Sequence, residues 1–266
     1  MDAEVKEVGG VEAGALQAFA KVPEVTLLFW IIKIAATTLG ETGGDAVTMS
    51  MNLGYLVGTL IFAVIFLAAV IAQIKARRFH PFLYWATILA TTTVGTTLAD
   101  FADRSLGLGY TGGASILLAL VLGSLYVWHR AMGSISVSTV SAPKAEMFYW
   151  LTIMFSQTLG TALGDWTADS AGIGYTGGAI LFGSLLLLIV AAYRLTKISH
   201  TVLFWAAFIL TRPLGAVLGD FLDKPLSQGG LSLSRYSASA VLLAFILAAI
   251  LLGKQKAAKA SGDAAC

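Results

Sequence analysis

Read for apolar and polar positions alone, the chain alternates eight long apolar runs with short polar breaks. The runs cover about residues 23–46, 53–74, 81–102, 110–129, 146–168, 174–193, 200–221 and 236–253. Each holds about 20 residues, enough for a helix to cross the hydrocarbon core of a bilayer. Every odd-numbered run also carries polar residues at i, i+4 and i+8, which share one helix face. The stripes are Thr37/Glu41/Asp45, Thr92/Thr96/Asp100, Gln157/Thr161/Asp165 and Arg212/Ala216/Asp220. Small residues four apart run beside them: Gly40/Gly44, Gly95/Ala99, Gly160/Gly164 and Gly215/Gly219. Small-xxx-small steps let membrane helices approach closely, so the striped helices are expected to gather around a shared centre. The even runs are nearly all aliphatic after their first turn and are expected to form a lipid-facing jacket.

The stripes belong to a larger repeat, and periodicity of this kind decides a fold. Each copy opens with an aromatic pair: Phe29-Trp30, Tyr84-Trp85, Tyr149-Trp150 or Phe204-Trp205. Ten residues past the tryptophan comes a glycine (Gly40, Gly95, Gly160, Gly215), and five further on an aspartate (Asp45, Asp100, Asp165, Asp220). A short turn leads to a tyrosine that opens the return helix: Tyr55, Tyr110, Tyr175 and, after a six-residue insertion, Tyr236. Two helices per copy keep every copy in one orientation, as parallel repeats about an axis along the membrane normal. The expected fold is therefore all-α, with eight transmembrane helices as four parallel pseudo-symmetric two-helix repeats. Their bounds fall at about 25–78, 79–130, 145–198 and 199–253 within one transmembrane domain, 23–253. A cytoplasmic segment, 1–22, and a polar cytoplasmic tail, 254–266, flank it. Tryptophan spacings of 55, 65 and 55 place the longest linker at about 131–146 and suggest two halves of four helices.

In this organisation the chain resembles a family of bacterial membrane proteins built from four tandem two-helix repeats of unknown function, each with a tryptophan. The resemblance covers roughly residues 25–252. It implies the architecture and a bacterial membrane location, and it implies no particular activity.

Composition agrees with a membrane protein. The chain is 57% hydrophobic and 12% charged, with a mean hydropathy of +0.82. Soluble domains carry about 25% charged residues. The net charge of +2 is no nucleic-acid signature, because basic residues are sorted between loops rather than clustered. Lys75, Arg77, Arg78, Arg130, Lys144, Arg194, Lys197, Lys254, Lys256 and Lys259 fall on one side; only Arg104, Lys224 and Arg235 fall on the other. By the positive-inside rule both termini are cytoplasmic, which suits a multi-pass protein of the bacterial inner membrane. His80, His129 and His200 lie on the basic rim as interface residues. Cys266, the one cysteine, excludes a disulfide framework and a cysteine metal cage. The acidic start does not read as a signal peptide. Val11, Leu16 and Phe19 allow a short interfacial helix there, and a solvated tail fits equally well.

The aspartates carry the chemistry. Each lies about fifteen residues, roughly 22 Å of helix, above a tryptophan expected at the interface, and so inside an apolar core about 30 Å thick. Unpaired anions there would together cost on the order of 10 kcal/mol, so they must be protonated, paired or hydrated. Asp103, Asp169 and Asp223, nearer the turns, read as headgroup or capping residues. Glu41 and Arg212 each occur in one copy only, about one helical turn apart in depth, and could pair. Lys33, nearer the tryptophans, is expected to snorkel.

Carboxylates and hydroxyls are hard oxygen ligands suited to Mg²⁺, Mn²⁺, Ca²⁺, Na⁺ or protons. The expected function is transport of a small cation, most naturally a divalent metal such as Mn²⁺ or Mg²⁺ as substrate, with proton exchange as an option. Glu41, Asp45, Asp100, Asp165 and Asp220 would be ligands or proton carriers, helped by Thr37, Thr96 and Thr161, with Arg212 as counter-charge. The alternatives are a structural or sensing ion site without transport, and an intramembrane enzyme acting on a lipid or quinone through paired carboxylates. A further variant, export of an organic cation, would use Phe101, Trp166 and Phe221 as aromatic walls. The runs Gly107-Leu108-Gly109-Tyr110-Thr111-Gly112 and Gly172-Ile173-Gly174-Tyr175-Thr176-Gly177 match a dinucleotide fingerprint in letters only. They join two helices, not a strand to a helix, and read as tight turns. No hydrolase grouping or phosphate loop occurs in the spans, so the chain is not expected to be an enzyme.

Overall fold

A computed structural model describes residues 20–258. Eight long helices make up the fold: α1 (Leu27–Asp45), α2 (Gly54–Lys75), α3 (Pro81–Asp100), α4 (Tyr110–Met132), α5 (Pro143–Asp165), α6 (Gly174–Leu195), α7 (His200–Asp223) and α8 (Arg235–Leu252). The starts follow local chemistry. Thr26 caps α1 by accepting from Phe29 N, Pro81 and Pro143 open α3 and α5, and the expected tyrosines sit within the first two residues of the even helices. The helix runs unbroken through Gly43 and Gly44.

The odd helices form a closed ring in which α1 packs on α3, α3 on α5, α5 on α7 and α7 on α1. Glycines permit the close approach, always onto the same position of the next helix. A Cβ on Gly40 would collide with Thr92, on Gly95 with Gln157, on Gly160 with Arg212 and on Gly215 with Thr37. These are the first members of the four stripes, so the small-residue steps and the stripes are the two halves of one repeated contact. Without a hydrophobic force between helices in lipid, such packing is the main attraction available.

The aromatic pairs close the ring in the same sense. Phe29 meets Trp85 at 5.4 Å between ring centroids, Tyr84 meets Trp150 at 5.8 Å, Tyr149 meets Trp205 at 6.2 Å and Phe204 meets Trp30 at 5.7 Å. Trp85, Trp150 and Trp205 are therefore buried in a plug rather than anchored at an interface. All odd helices run parallel, with aromatic starts at one end and aspartates at the other.

Each even helix packs on the odd helix of the following repeat: α2 on α3, α4 on α5, α6 on α7, and α8 back on α1. The contact of α3 with α5 resembles those of the other neighbours, so no division into halves is seen. Five helices, α2, α4, α6, α7 and α8, are long and apolar enough to cross a membrane. The apolar stretch of α7 is 72% buried against 11% in α6 and in α8, as a central helix and its jacket require. The remaining odd helices are long enough but more polar, because they carry the threonines and acids of the centre.

The described residues that flank the helices pair with each other and with the aromatic end. Pro23 and Ala257 form an antiparallel bridge, and Trp85 Nε1 donates to Gln255 Oε1 at 2.7 Å. Val11, Leu16, Phe19 and Cys266 lie outside the described residues.

Candidate cation site

Residues spaced by four on the odd helices stack in layers along the ring axis. From the aromatic end the layers are Lys33/Ile88/Ile153/Phe208, then Thr37/Thr92/Gln157/Arg212, then Glu41/Thr96/Thr161/Ala216, then Asp45/Asp100/Asp165/Asp220. All of these side chains are buried, and the five expected carboxylates are no more than 3% exposed. The acids thus converge in a protein-lined centre.

Two overlapping carboxylate triads result. One oxygen each from Glu41, Asp165 and Asp220 lie within 4.8 Å of one another, as do oxygens of Asp45, Asp220 and Asp223. Oxygens on one ion are separated by at most twice the metal–oxygen distance, roughly 4.2 Å for Mg²⁺ and about 5 Å for Ca²⁺. Either triad can close on a common hard cation with a small side-chain adjustment. The oxygens Asp45 Oδ1 and Asp100 Oδ2 are buried and accept no hydrogen bond among the described residues.

Protein cations already stand among these acids. Arg212 Nη2 pairs with Glu41 at 2.8 Å and donates to Thr96 Oγ1 and Thr161 Oγ1. Lys224 Nζ bridges Asp45 at 2.8 Å and Asp220 at 3.0 Å, inside the second triad. Arg104 pairs with Asp100 at 2.9 Å and reaches Asp165 at 3.5 Å. Arg235 holds Asp223 at 2.8 Å. Burial pulls the Lys224 and Arg104 groups down, but neighbouring carboxylates more than offset it. Asp220, Asp45 and Asp223 hold Lys224, and Asp100 and Asp165 hold Arg104, above their ordinary ranges. Both stay charged.

The Glu41–Arg212 pair expected from sequence is present, and the expected acids are all at the centre. Asp100 is held by Arg104 and belongs to neither triad. The threonines serve other partners. Thr37 Oγ1 is within bonding distance of the Lys33, Ile34 and Thr211 carbonyls, at a helix seam. Thr96 and Thr161 receive Arg212, and Thr96 Oγ1 also lies 3.3 Å from Glu41 Oε2. Trp166 is 38% exposed and turned away from the centre, so it walls no organic-cation pocket. Lys33 does not snorkel: it is fully buried, with Nζ 4.2 Å from the Phe208 ring centroid. Asp223 is buried and paired with Arg235.

Sequence reasoning missed Arg104, Lys224, Arg235 and Asp223 as members of the site. A signal was there: Arg104 and Lys224 each follow a stripe aspartate by four residues, the spacing of a helical ion pair. After Asp45, Asp100 and Asp165 the helix widens into a π turn (Ala46–Ser50, Phe101–Ser105, Trp166–Ser170), closed by i→i+5 bonds such as Met51 N to Ala46 O at 2.8 Å. Such turns recur at functional sites. In the fourth repeat Lys224 and the following insertion replace it.

Fold and centre together define an all-helical protein of four tandem repeats around a buried acidic core. The chain belongs to the family described as Repeat of Unknown Function (DUF347), whose model matches four times, at residues 28–79, 83–134, 148–199 and 203–254. No curated protein and no solved structure matches the chain.

Proposed function

We propose that the protein spans the bacterial inner membrane with all eight helices, both termini cytoplasmic, and moves a small divalent cation through the ring of odd helices. One observation carries this reading. Acids from different repeats meet in a buried centre, and Glu41, Asp165 and Asp220 bring oxygens within 4.8 Å of one another. Arg212, Lys224 and Arg104 act as tethered stand-ins that neutralise the acids when no substrate is bound. The incoming ion takes over the carboxylates, and the tethers return as it leaves, which keeps the site from trapping its cargo. Hard oxygen donors without histidine or cysteine suit Mn²⁺ or Mg²⁺.

The test is flux of Mn²⁺, Mg²⁺ and Ca²⁺ into liposomes holding the full chain, beside Asp165→Asn and Asp220→Asn. Flux by wild type that falls at least tenfold in both variants supports the reading. No flux of any of the three ions sinks it.

A second reading, a membrane protein with a structural or sensing ion site, draws on the same tethers, because each acid already has a protein cation nearby. It expects bound Mn²⁺ without flux. An enzyme acting on a lipid or quinone needs a groove from the bilayer to the acids. Two grooves on the jacket, of about 580 and 450 Å³, are lined by none of the carboxylates.

A further inference from the structure

Over the α7–α1 seam at the aromatic end, the jacket leaves a groove of about 580 Å³. Its floor is α1 and α7, α6 forms a wall, and residues 136–138 of the long linker also border it. Along α7 the lining runs from His200 to Thr211, about 16 Å of helix. That is half of a hydrocarbon core about 30 Å thick, and so the depth of one leaflet.

The groove changes character along that length. Toward the bilayer middle it is lined by Ile34, Leu186, Leu187 and Ala207, and Thr211 there spends its hydroxyl on the Phe208 carbonyl at 2.8 Å. At the mouth stand Thr26, Ser136, Thr201 and the Tyr193–His200 ring pair, 4.7 Å between centroids. The turn that joins Tyr193 to His200 carries Arg194 and Lys197, both exposed. No lining residue is acidic. Glu24, beside Val25, is the one carboxylate next to the lining in sequence, and its backbone N–H is drawn to the Lys256 carbonyl. Positive charge at headgroup depth attracts anionic lipid.

Trp30 departs from its repeat at this place. Trp85, Trp150 and Trp205 are no more than 3% exposed, and Trp85 and Trp205 donate to Gln255 and to the Ile135 carbonyl. Trp30 is partly exposed, lines the groove and makes no such bond among the described residues. An indole at headgroup depth offers its N–H to phosphate or ester oxygens.

We propose that this groove seats one anionic phospholipid of the leaflet at the aromatic end. Its phosphate is drawn to the mouth by Arg194, Lys197 and the Trp30 N–H, and one acyl chain runs along α6 and α7 toward Thr211. A zwitterionic lipid would fill the apolar part equally well, but it carries no net charge for the mouth to attract. The proposal rests on the membrane placement above and not on ion transport. Behind the groove the Thr211 carbonyl accepts from Thr37 Oγ1 at 3.2 Å, so the lipid braces the seam where the first and last repeats meet.

The test is native mass spectrometry of the full chain in a mild detergent, titrated with dioleoylphosphatidylglycerol or with dioleoylphosphatidylcholine. Wild type should bind a first phosphatidylglycerol about tenfold more tightly than a second, and about tenfold more tightly than phosphatidylcholine. Val190→Trp fills the groove from an exposed lining position, and Val241→Trp puts the same ring on an exposed part of α8 outside it. The first should weaken that binding about tenfold and the second should leave it unchanged. Arg194→Gln together with Lys197→Gln should erase the preference for phosphatidylglycerol while phosphatidylcholine binds as before. Equal affinity for the two lipids overturns the anionic seat, as does a Val190→Trp protein that binds like wild type, and both leave the cation reading standing. Absence of discrete binding by either lipid overturns the seat together with the membrane placement it rests on.

Discussion

Arg212 of the fourth repeat and Glu41 of the first meet at 2.8 Å where the ring of odd helices closes on itself. They occupy different layers, and each is found in one repeat only, so the pair marks the α7–α1 seam among four otherwise similar seams. Both side chains are nearly without solvent. Breaking such a pair from one side leaves a lone buried charge, which costs about 3–5 kcal/mol, whereas replacing both partners is close to neutral. Arg212→Met and Glu41→Gln should each lower the thermal midpoint in detergent well below that of the double variant. Single variants as stable as wild type would show that the pair is not buried.

Lys224 sits where a metal would sit in the second triad, bonded to both Asp45 and Asp220. Removing it leaves the acids more negative, and a unit charge at this range is worth on the order of 1–2 kcal/mol after screening. Lys224→Met should therefore bind Mn²⁺ about tenfold more tightly by electron paramagnetic resonance. On the proposed transport cycle it should also release the ion more slowly from liposomes, because no tether would return to displace it. Unchanged affinity would mean that Lys224 does not compete with the ion.

The same lysine sets an alkaline limit. Burial alone would lower its pKa, but Asp220, Asp45 and Asp223 raise it above the ordinary value. A raised folded-state value means the stabilisation is complete below the unfolded value of about 10.4 and declines only as pH climbs from there toward the folded one. The stability difference between wild type and Lys224→Met should stay constant from pH 7 to about 10 and shrink above it. A difference that shrinks between pH 7 and 9 would contradict this.

Much of the fold could be read directly from residue spacing. The tryptophan, glycine and aspartate repeats reveal four copies, and the i, i+4, i+8 stripes reveal which face turns inward, because both follow from helix geometry and the cost of polar groups in lipid. The ring order was not legible. That Gly40 meets Thr92 and Gly215 meets Thr37 depends on which copies are neighbours, and spacing within a copy is silent on that. The tethers were hidden for another reason. Arg104, Lys224 and Arg235 lie in the poorly charged loops, where a basic residue reads as a topology marker, and only the chain path folds them back over the acids. Lys33 was misplaced because snorkelling assumes a helix facing lipid, and α1 is enclosed by its neighbours.

Glycines at the ring and on the jacket should respond oppositely to alanine. At Gly215 a Cβ would collide with Thr37, whose backbone carbon would lie 2.9 Å away, so α7 must move off α1. Gly215→Ala should cost about 1–3 kcal/mol, as overpacking does. At Gly183 on α6 nothing lies within 4 Å of a new Cβ. Gly183→Ala should be neutral or stabilise by up to about 1 kcal/mol, the helix-propensity difference. Thermal midpoints in one detergent decide, and equal effects at the two sites would contradict the ring packing.

The aromatic end is tied by Lys21 and Glu146, whose charged atoms lie 2.6 Å apart. The two partners are not equivalent. Lys21 Nζ also donates to the Ile74 carbonyl at 2.9 Å and the Gln73 carbonyl at 3.3 Å, and its side chain keeps 10% exposure. Glu146 is 1% exposed and has no second cation within bonding distance among the described residues. Without Glu146 the ammonium keeps its carbonyls and some water, while without Lys21 the carboxylate is stranded. Lys21→Met should therefore cost about 3–5 kcal/mol and Glu146→Gln only about 1 kcal/mol. Adding Glu146→Gln to Lys21→Met should recover most of the loss. Equal costs for the two single variants, measured by thermal unfolding at pH 7, would mean that solvent reaches Glu146 and that the aromatic end is open.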